Sequence, residues 1–148
     1  MKVATMLVGI LVALSVTAAA QTEADQTEVR SVIGEFEKAL QTQSLEKIET
    51  LVSSDIVVFE NGYRNDGWSD FRDHHLVPQF KASPTMYRSE IVKIDVGPSM
   101  AWGYSRMSRA IVHTGDKRPD LWVVYVLKKE ANKWKIVELS WSVRRVGE

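Results

Sequence analysis

Apolar residues recur at Val29, Val32, Ile33, Phe36, Ala39 and Leu40. These are the three- and four-residue steps of a helix with one apolar face, so Thr27 to Thr42 is predicted to be an amphipathic helix. Gly34 is a mild breaker inside it. Ser44 is placed to cap a second, shorter helix whose apolar face is Leu45, Ile48, Leu51 and Val52. The pattern then changes period. Ile56 to Phe59 is a β-branched, apolar run, and Asn61-Gly62 signals a tight turn into a short return strand, Tyr63-Arg64-Asn65. Ser69 is placed to cap a brief helix from Asp70 to Val77, limited by Pro78. From Met86 onward the chain reads as strands over 86–96, 100–112, 121–127 and 134–143. Gly97-Pro98-Ser99 and Asn132 mark turns, and His113 to Pro119 a loop.

Helices first and strands later argue for an α+β domain, with the helices packed on one face of a curved antiparallel sheet. One strand is apolar on both faces: Leu121, Val123, Tyr125 and Leu127 point one way, Trp122, Val124 and Val126 the other. A strand with one face in water alternates instead. Both faces of this sheet are therefore expected to be covered, one by the helices and the other by a second copy of the chain. Val137, Leu139 and Trp141 are expected to add to that homodimer face.

The first twenty residues read as an address. Met1-Lys2 is a short basic start, Ala4 to Val16 an uncharged apolar run, and Ala18-Ala19-Ala20 a small-residue junction before Gln21. This is the pattern of a cleavable signal peptide over 1–20. The run is short of the roughly 20 apolar residues that span a bilayer. The expected product is an exported bacterial protein, periplasmic or secreted, with no membrane association after cleavage. Residues 21–26 are expected to form a polar, flexible tether and 27–146 the domain. Lys and Arg number 19, as do Asp and Glu. With no basic stripe, nucleic acid is not an expected partner. Cysteine is absent, which excludes disulfides, thiolate chemistry and a lipid anchor at the junction.

The segment Asp66-Gly67-Trp68-Ser69-Asp70-Phe71-Arg72-Asp73-His74-His75-Leu76-Val77-Pro78 and the ending Trp134-Lys135-Ile136-Val137 resemble small exported members of the nuclear transport factor 2-like superfamily, in its SnoaL-like group. The resemblance covers nearly all of the chain after the leader. It implies three N-terminal helices and a bent sheet forming a cone, a pocket inside the cone, and dimers across the open sheet face. The superfamily includes ketosteroid isomerase, scytalone dehydratase, polyketide cyclases, a kinase association domain and transport factors, so the fold leaves the function open. Related exported members carry histidines two positions apart in the last strand. This chain has Glu138 and Ser140 there, which removes the partners for a histidine-based site built with His74 or His75.

The resemblance turns Trp102, Tyr104, Arg106 and Ser108 of one strand inward, and Trp134, Ile136, Glu138, Ser140 and Ser142 of the last. The implied ligand-binding residues are Trp68, His74, Trp102, Tyr104, Arg106, Glu138 and Ser140. They make an aromatic pocket suited to a small, partly apolar molecule with one polar group. Glu138 and His74 are the candidates for acid–base work. A structural ion pair between Glu138 and Arg106 is the plainer alternative. His74 and His75 point about 100° apart on a helix. Asp70 and Asp73 lie near, yet the metal-helix spacing of two histidines four apart is missing, so no metal is expected. No phosphate loop, nucleophile elbow or other cofactor motif occurs, and no cofactor is expected. Three functions stay open: small-molecule binding, a lyase, isomerase or hydrolase, and an assembly module.

Overall fold

The computed structural model describes residues 3–82, 85–111 and 117–143. Helix α1 spans Val3–Gln41 and buries Val29, Val32, Ile33, Phe36, Ala39 and Leu40, the predicted apolar face. Residues 21–26, expected as a tether, continue this helix. Asp25 fixes the segment to the sheet: it is 5% exposed. Its Oδ1 accepts hydrogen bonds from Lys129 Nζ at 2.5 Å and from the Trp134 indole N–H at 3.1 Å. Helix α2, Leu45–Leu51, is capped by Ser44, whose hydroxyl accepts the Lys47 N–H. Ile48 and Leu51 are buried.

Six strands follow: β1 Val52–Glu60, β2 Tyr63–Asp66, β3 Thr85–Val96, β4 Met100–Ile111, β5 Lys117–Glu130 and β6 Lys133–Val143. They form one curved, unclosed sheet in the order β2-β1-β6-β5-β4-β3. Every pairing is antiparallel except β1 with β6, which is parallel. The β1–β2 turn uses left-handed backbone at Asn61 and Gly62, and the β5–β6 turn at Ala131 and Asn132. Both are the two-residue hairpin turns that match the twist of the flanking strands. β5 begins at Lys117, inside the predicted loop. Residues 113–116 of that loop and 144–146 of the domain end lie outside the described residues.

The third helical region is longer than predicted. It comprises α3 (Trp68–Asp70), a π-helical turn (Phe71–Leu76) and α4 (Val77–Ala82). Ser69 does not cap it. Gly67 precedes it at φ 83°, and the Asp70 carboxylate ties its start to β2 through the Asp66 backbone N–H at 2.9 Å and the Asn65 amide at 3.1 Å. Pro78 does not end the helix. Proline lacks the N–H that an α-helix needs and its ring crowds the preceding turn. The wider π-helical turn just before it is where helices accommodate such an insertion.

The faces of the sheet decide where a site can be. Against the helices lie Ile56 and Val58 of β1, Ala101, Gly103, Ser105 and Met107 of β4, and Leu121, Val123, Tyr125 and Leu127 of β5. β6 contributes Trp134, Ile136, Leu139 and Trp141. Its alternation is reversed at Val137: Ile136 pairs with Leu127, but Glu138 pairs with Val126, leaving Val137 as the extra residue of a β-bulge. Two expectations are corrected here. Trp102, Tyr104 and Arg106, with Glu138 and Ser140, lie on the face turned away from the helices. Leu139 and Trp141, expected on that open face, are 0% and 7% exposed in the core. The cause on β4 is close packing against the neighbouring strand β3. A Cβ on Gly103 would sit 2.7 Å from the Lys93 carbonyl and 3.5 Å from Ile33 Cδ1, so the small residues of β4 face in and its aromatics face out.

Candidate functional site

The π-helical turn presents Phe71, His75 and Leu76 to the mouth of the cone. Phe71 and Leu76 are fully buried. His75 Nε2 lies 2.9 Å from a carboxylate oxygen of Glu60, and the two side chains are only 14% and 22% exposed. Glu60 is the last residue of β1. Strand alternation puts it on the side of Ile56 and Val58, beside its β6 neighbour Trp141. The His75 ring stacks on Trp141 with centroids 5.4 Å apart and planes 23° apart, and Phe71 stands at 5.4 Å on a tilt of 54°. Trp68 meets Phe71 edge-on at 6.2 Å.

Between these groups is a cavity of about 10 Å³ lined by Leu40, Glu60, His75, Gln79, Met107, Leu121 and Trp141. That is room for about one water. Deeper in the cone the space is taken by Phe36, Tyr125, Trp134 and Ile136. The Tyr125 hydroxyl donates to the buried Glu37 carboxylate at 2.9 Å. Burial, with Glu37 beside it, pushes the Tyr125 phenol well above its ordinary value, so the phenol stays a donor at all working pH.

The residues expected to line one pocket are divided between two places. Trp68 is at the mouth. His74 is exposed and bonded through Nδ1 to Asp70 Oδ1 at 2.7 Å; His75 is the histidine that faces in. The Asp66 backbone N–H, His74 and Asn65 hold the Asp70 carboxyl below the usual carboxylate range. Trp102 and Tyr104 stack on the outer face at 6.3 Å, and Tyr104 meets Trp122 at 5.9 Å. Lys93 Nζ sits 4.9 Å from the Trp102 ring centroid. Arg106 pairs with Glu90 at 3.2 Å rather than with Glu138, which is exposed. Ser140 lies between Val124 and Phe59. Glu60 and Gln79 were missed by sequence reasoning, and Trp141 was assigned to the wrong face. The available signal for Glu60 was its even spacing from Ile56 and Val58. Among the described residues, no group of three or more His, Cys, Asp or Glu side chains is placed to hold a metal ion.

Residues 29–145 match the SnoaL-like domain, and the chain belongs to that family. No curated protein matches it in sequence. Solved structures share its fold. One is a nuclear transport factor 2-like protein of unknown function from Pseudomonas putida KT2440, with a TM-score of 0.77 and 14% identity, covering 86% of this chain and 92% of that one. A second, from Salmonella enterica serovar Typhimurium, is a nuclear transport factor 2-like superfamily protein with a TM-score of 0.70 and 15% identity, over 85% and 96% of the two chains. A third, described as a candidate ketosteroid isomerase from Shewanella frigidimarina, has a TM-score of 0.67 and 19% identity, over 76% and 92%. At these identities the likeness is one of fold.

Proposed function

We propose that this chain is an exported SnoaL-like domain that binds a small, partly apolar molecule at the mouth of its cone and works as a homodimer. The observation that carries the ligand reading is the His75–Glu60 pair. It is a polar contact largely shut off from water, walled by Trp141 and Phe71 and bordering a cavity. Apolar walls with a few convergent polar groups are the ordinary composition of a ligand site. The cavity holds about one water, so the ligand is small, or enters by displacing a side chain at the mouth.

Export rests on the basic start, apolar run and small-residue junction before Gln21. The homodimer rests on the outer sheet face, where Trp102, Trp122 and Val124 remain about 40% exposed. The outer-face residues Trp102, Tyr104, Arg106, Glu138 and Ser140 belong to that contact in this reading. Native mass spectrometry of the protein isolated from its own host tests the ligand reading. A small adduct present in the wild type and lost in Glu60→Ala is expected. A bare polypeptide mass in both, at every gentle ionisation condition, would count against it. An acid–base enzyme is the second reading, favoured by a carboxylate that holds an imidazole in one orientation.

A further inference from the structure

We propose that the mouth is a cage for a small organic cation, in which the His75 ring is the resident occupant. The inference rests on the mouth being the ligand site and adds the charge of the ligand. Three groups converge on the His75 ring: the face of Trp141, the ring of Phe71 and the carboxylate of Glu60. Both ring centroids lie 5.4 Å from it, inside the roughly 6 Å over which an aromatic ring attracts a cation. Two aromatic rings and a carboxylate make an environment for positive charge.

The surrounding charges point the same way. On the elements packed around the π-helical turn, Arg72 pairs with Asp73, Asp70 with His74, and Arg64 with Asp66. Among the described residues, Glu60 has one ion-pair partner, His75, and no lysine or arginine lines the cavity. A ligand that moves the imidazole aside therefore meets a carboxylate that, among the described residues, no lysine or arginine holds. An ammonium gives Glu60 a charged partner. A neutral group does not, and a carboxylate adds repulsion. The cavity alone is too small for such a ligand, so the ligand takes the place of the imidazole and extends toward the open mouth.

Calorimetric titration of the folded protein at neutral pH with benzylammonium, benzyl alcohol and benzoate tests this, because the three share one ring and differ in charge. Benzylammonium is expected to bind about tenfold more tightly than the other two, the size of a carboxylate contact with a ring-face contact. Glu60→Gln should remove that preference. His75→Ala should strengthen benzylammonium binding by removing the competing occupant. If His75→Ala is unfolded by circular dichroism, Glu60→Gln decides. Equal affinities for the three probes, a preference for benzoate, or a cation preference that survives Glu60→Gln overturns the cage. If either variant still alters the common affinity, the mouth remains the ligand site. His75→Ala that weakens benzylammonium binding overturns the role of occupant. No heat from any probe, with wild type and His75→Ala alike, overturns both the cage and the mouth as a ligand site.

Discussion

Arg106 reaches Glu90 at 3.2 Å across β3 and β4, while Glu138 stands two strands away on the same open face. Glu138 is in register with Trp102, four residues along β4 from Arg106, so two strand spacings of about 4.8 Å and four residues of about 3.3 Å put these groups roughly 16 Å from each other. Arg106 and Glu90 are half or more exposed, and exposed pairs contribute about 0–1 kcal/mol. Arg106→Ala and Glu138→Ala should each change the unfolding free energy by no more than about 1 kcal/mol, and the double variant should be additive. Urea denaturation of the three variants checks this. A coupling of several kcal/mol would mean that the two side chains meet in solution.

The helical half of the fold was legible because its signal is dense. Six apolar positions of α1 fall on one face, and all six are buried. The strand order along the chain was legible as well, from turn residues such as Asn61-Gly62. The parallel pairing of β1 with β6 was not, because it joins segments far apart in sequence with no turn between them. The inner face was misread for two local reasons. The resemblance turns the aromatic face of β4 inward, yet β3 approaches Gly103 so closely that no side chain fits there on the inner face. A single extra residue at Val137 then reverses the alternation of β6, so Trp134 and Ile136 face inward while Glu138 does not. Alternation shows nothing of a bulge until the partner strand is known. At the mouth, choosing between His74 and His75 needed the π-helical turn. Glu60, beside an Asn-Gly turn, looks like an ordinary solvated charge.

Tyr125 and Glu37 make the second test. Tyr125→Phe keeps the ring but leaves a buried carboxylate without its donor. That costs about 1–3 kcal/mol, the desolvation left uncompensated. Tyr125→Phe with Glu37→Leu removes both partners and should recover much of the loss. Chemical denaturation of Tyr125→Phe, Glu37→Leu and the double variant separates the outcomes. If the double variant is as unstable as the sum of the singles, the hydrogen bond is not what holds Glu37.

The third prediction concerns Asp25 and pH. Hydrogen bonds from Lys129 and then Trp134 hold its carboxyl below the usual carboxylate range. A carboxyl depressed in the folded state binds its proton more readily when unfolded. Its stabilisation is thus present above the ordinary value of about 4 and lost as pH falls through the lower folded value. Asp25→Asn should lower the Tm at neutral pH and draw level with the wild type at strongly acid pH, as followed by circular dichroism. Truncation from the N-terminus gives an independent reading. Removing 1–20 should leave the Tm of the domain unchanged, and removing 1–26, which takes Asp25 as well, should lower it. Equal Tm values for the two truncations would show that the segment does not anchor the helix.

The last prediction separates two tryptophans on opposite faces of the sheet. Across the outer face, Trp102, Val126 and Glu138 form one row, and Tyr104, Val124, Ser140 and Phe59 the next; Arg106, Trp122 and Ser142 form a third. The middle of this surface is apolar and its β3 edge is charged, with Lys93, Asp95 and Glu90. A contiguous apolar patch rimmed by charge is the usual mark of a protein contact. A twofold dimer would bury the same rows on both copies. Trp122 is 40% exposed and Trp141 is 7% exposed on the opposite face. Trp122→Glu should therefore halve the mass seen by light scattering at micromolar concentration while leaving the circular dichroism spectrum intact. Trp141→Glu puts an unpaired charge under His75 and Phe71 and should unfold the domain instead. A wild-type protein that is already monomeric would remove the homodimer. A Trp122→Glu variant that keeps the dimer mass would place the contact elsewhere on the molecule.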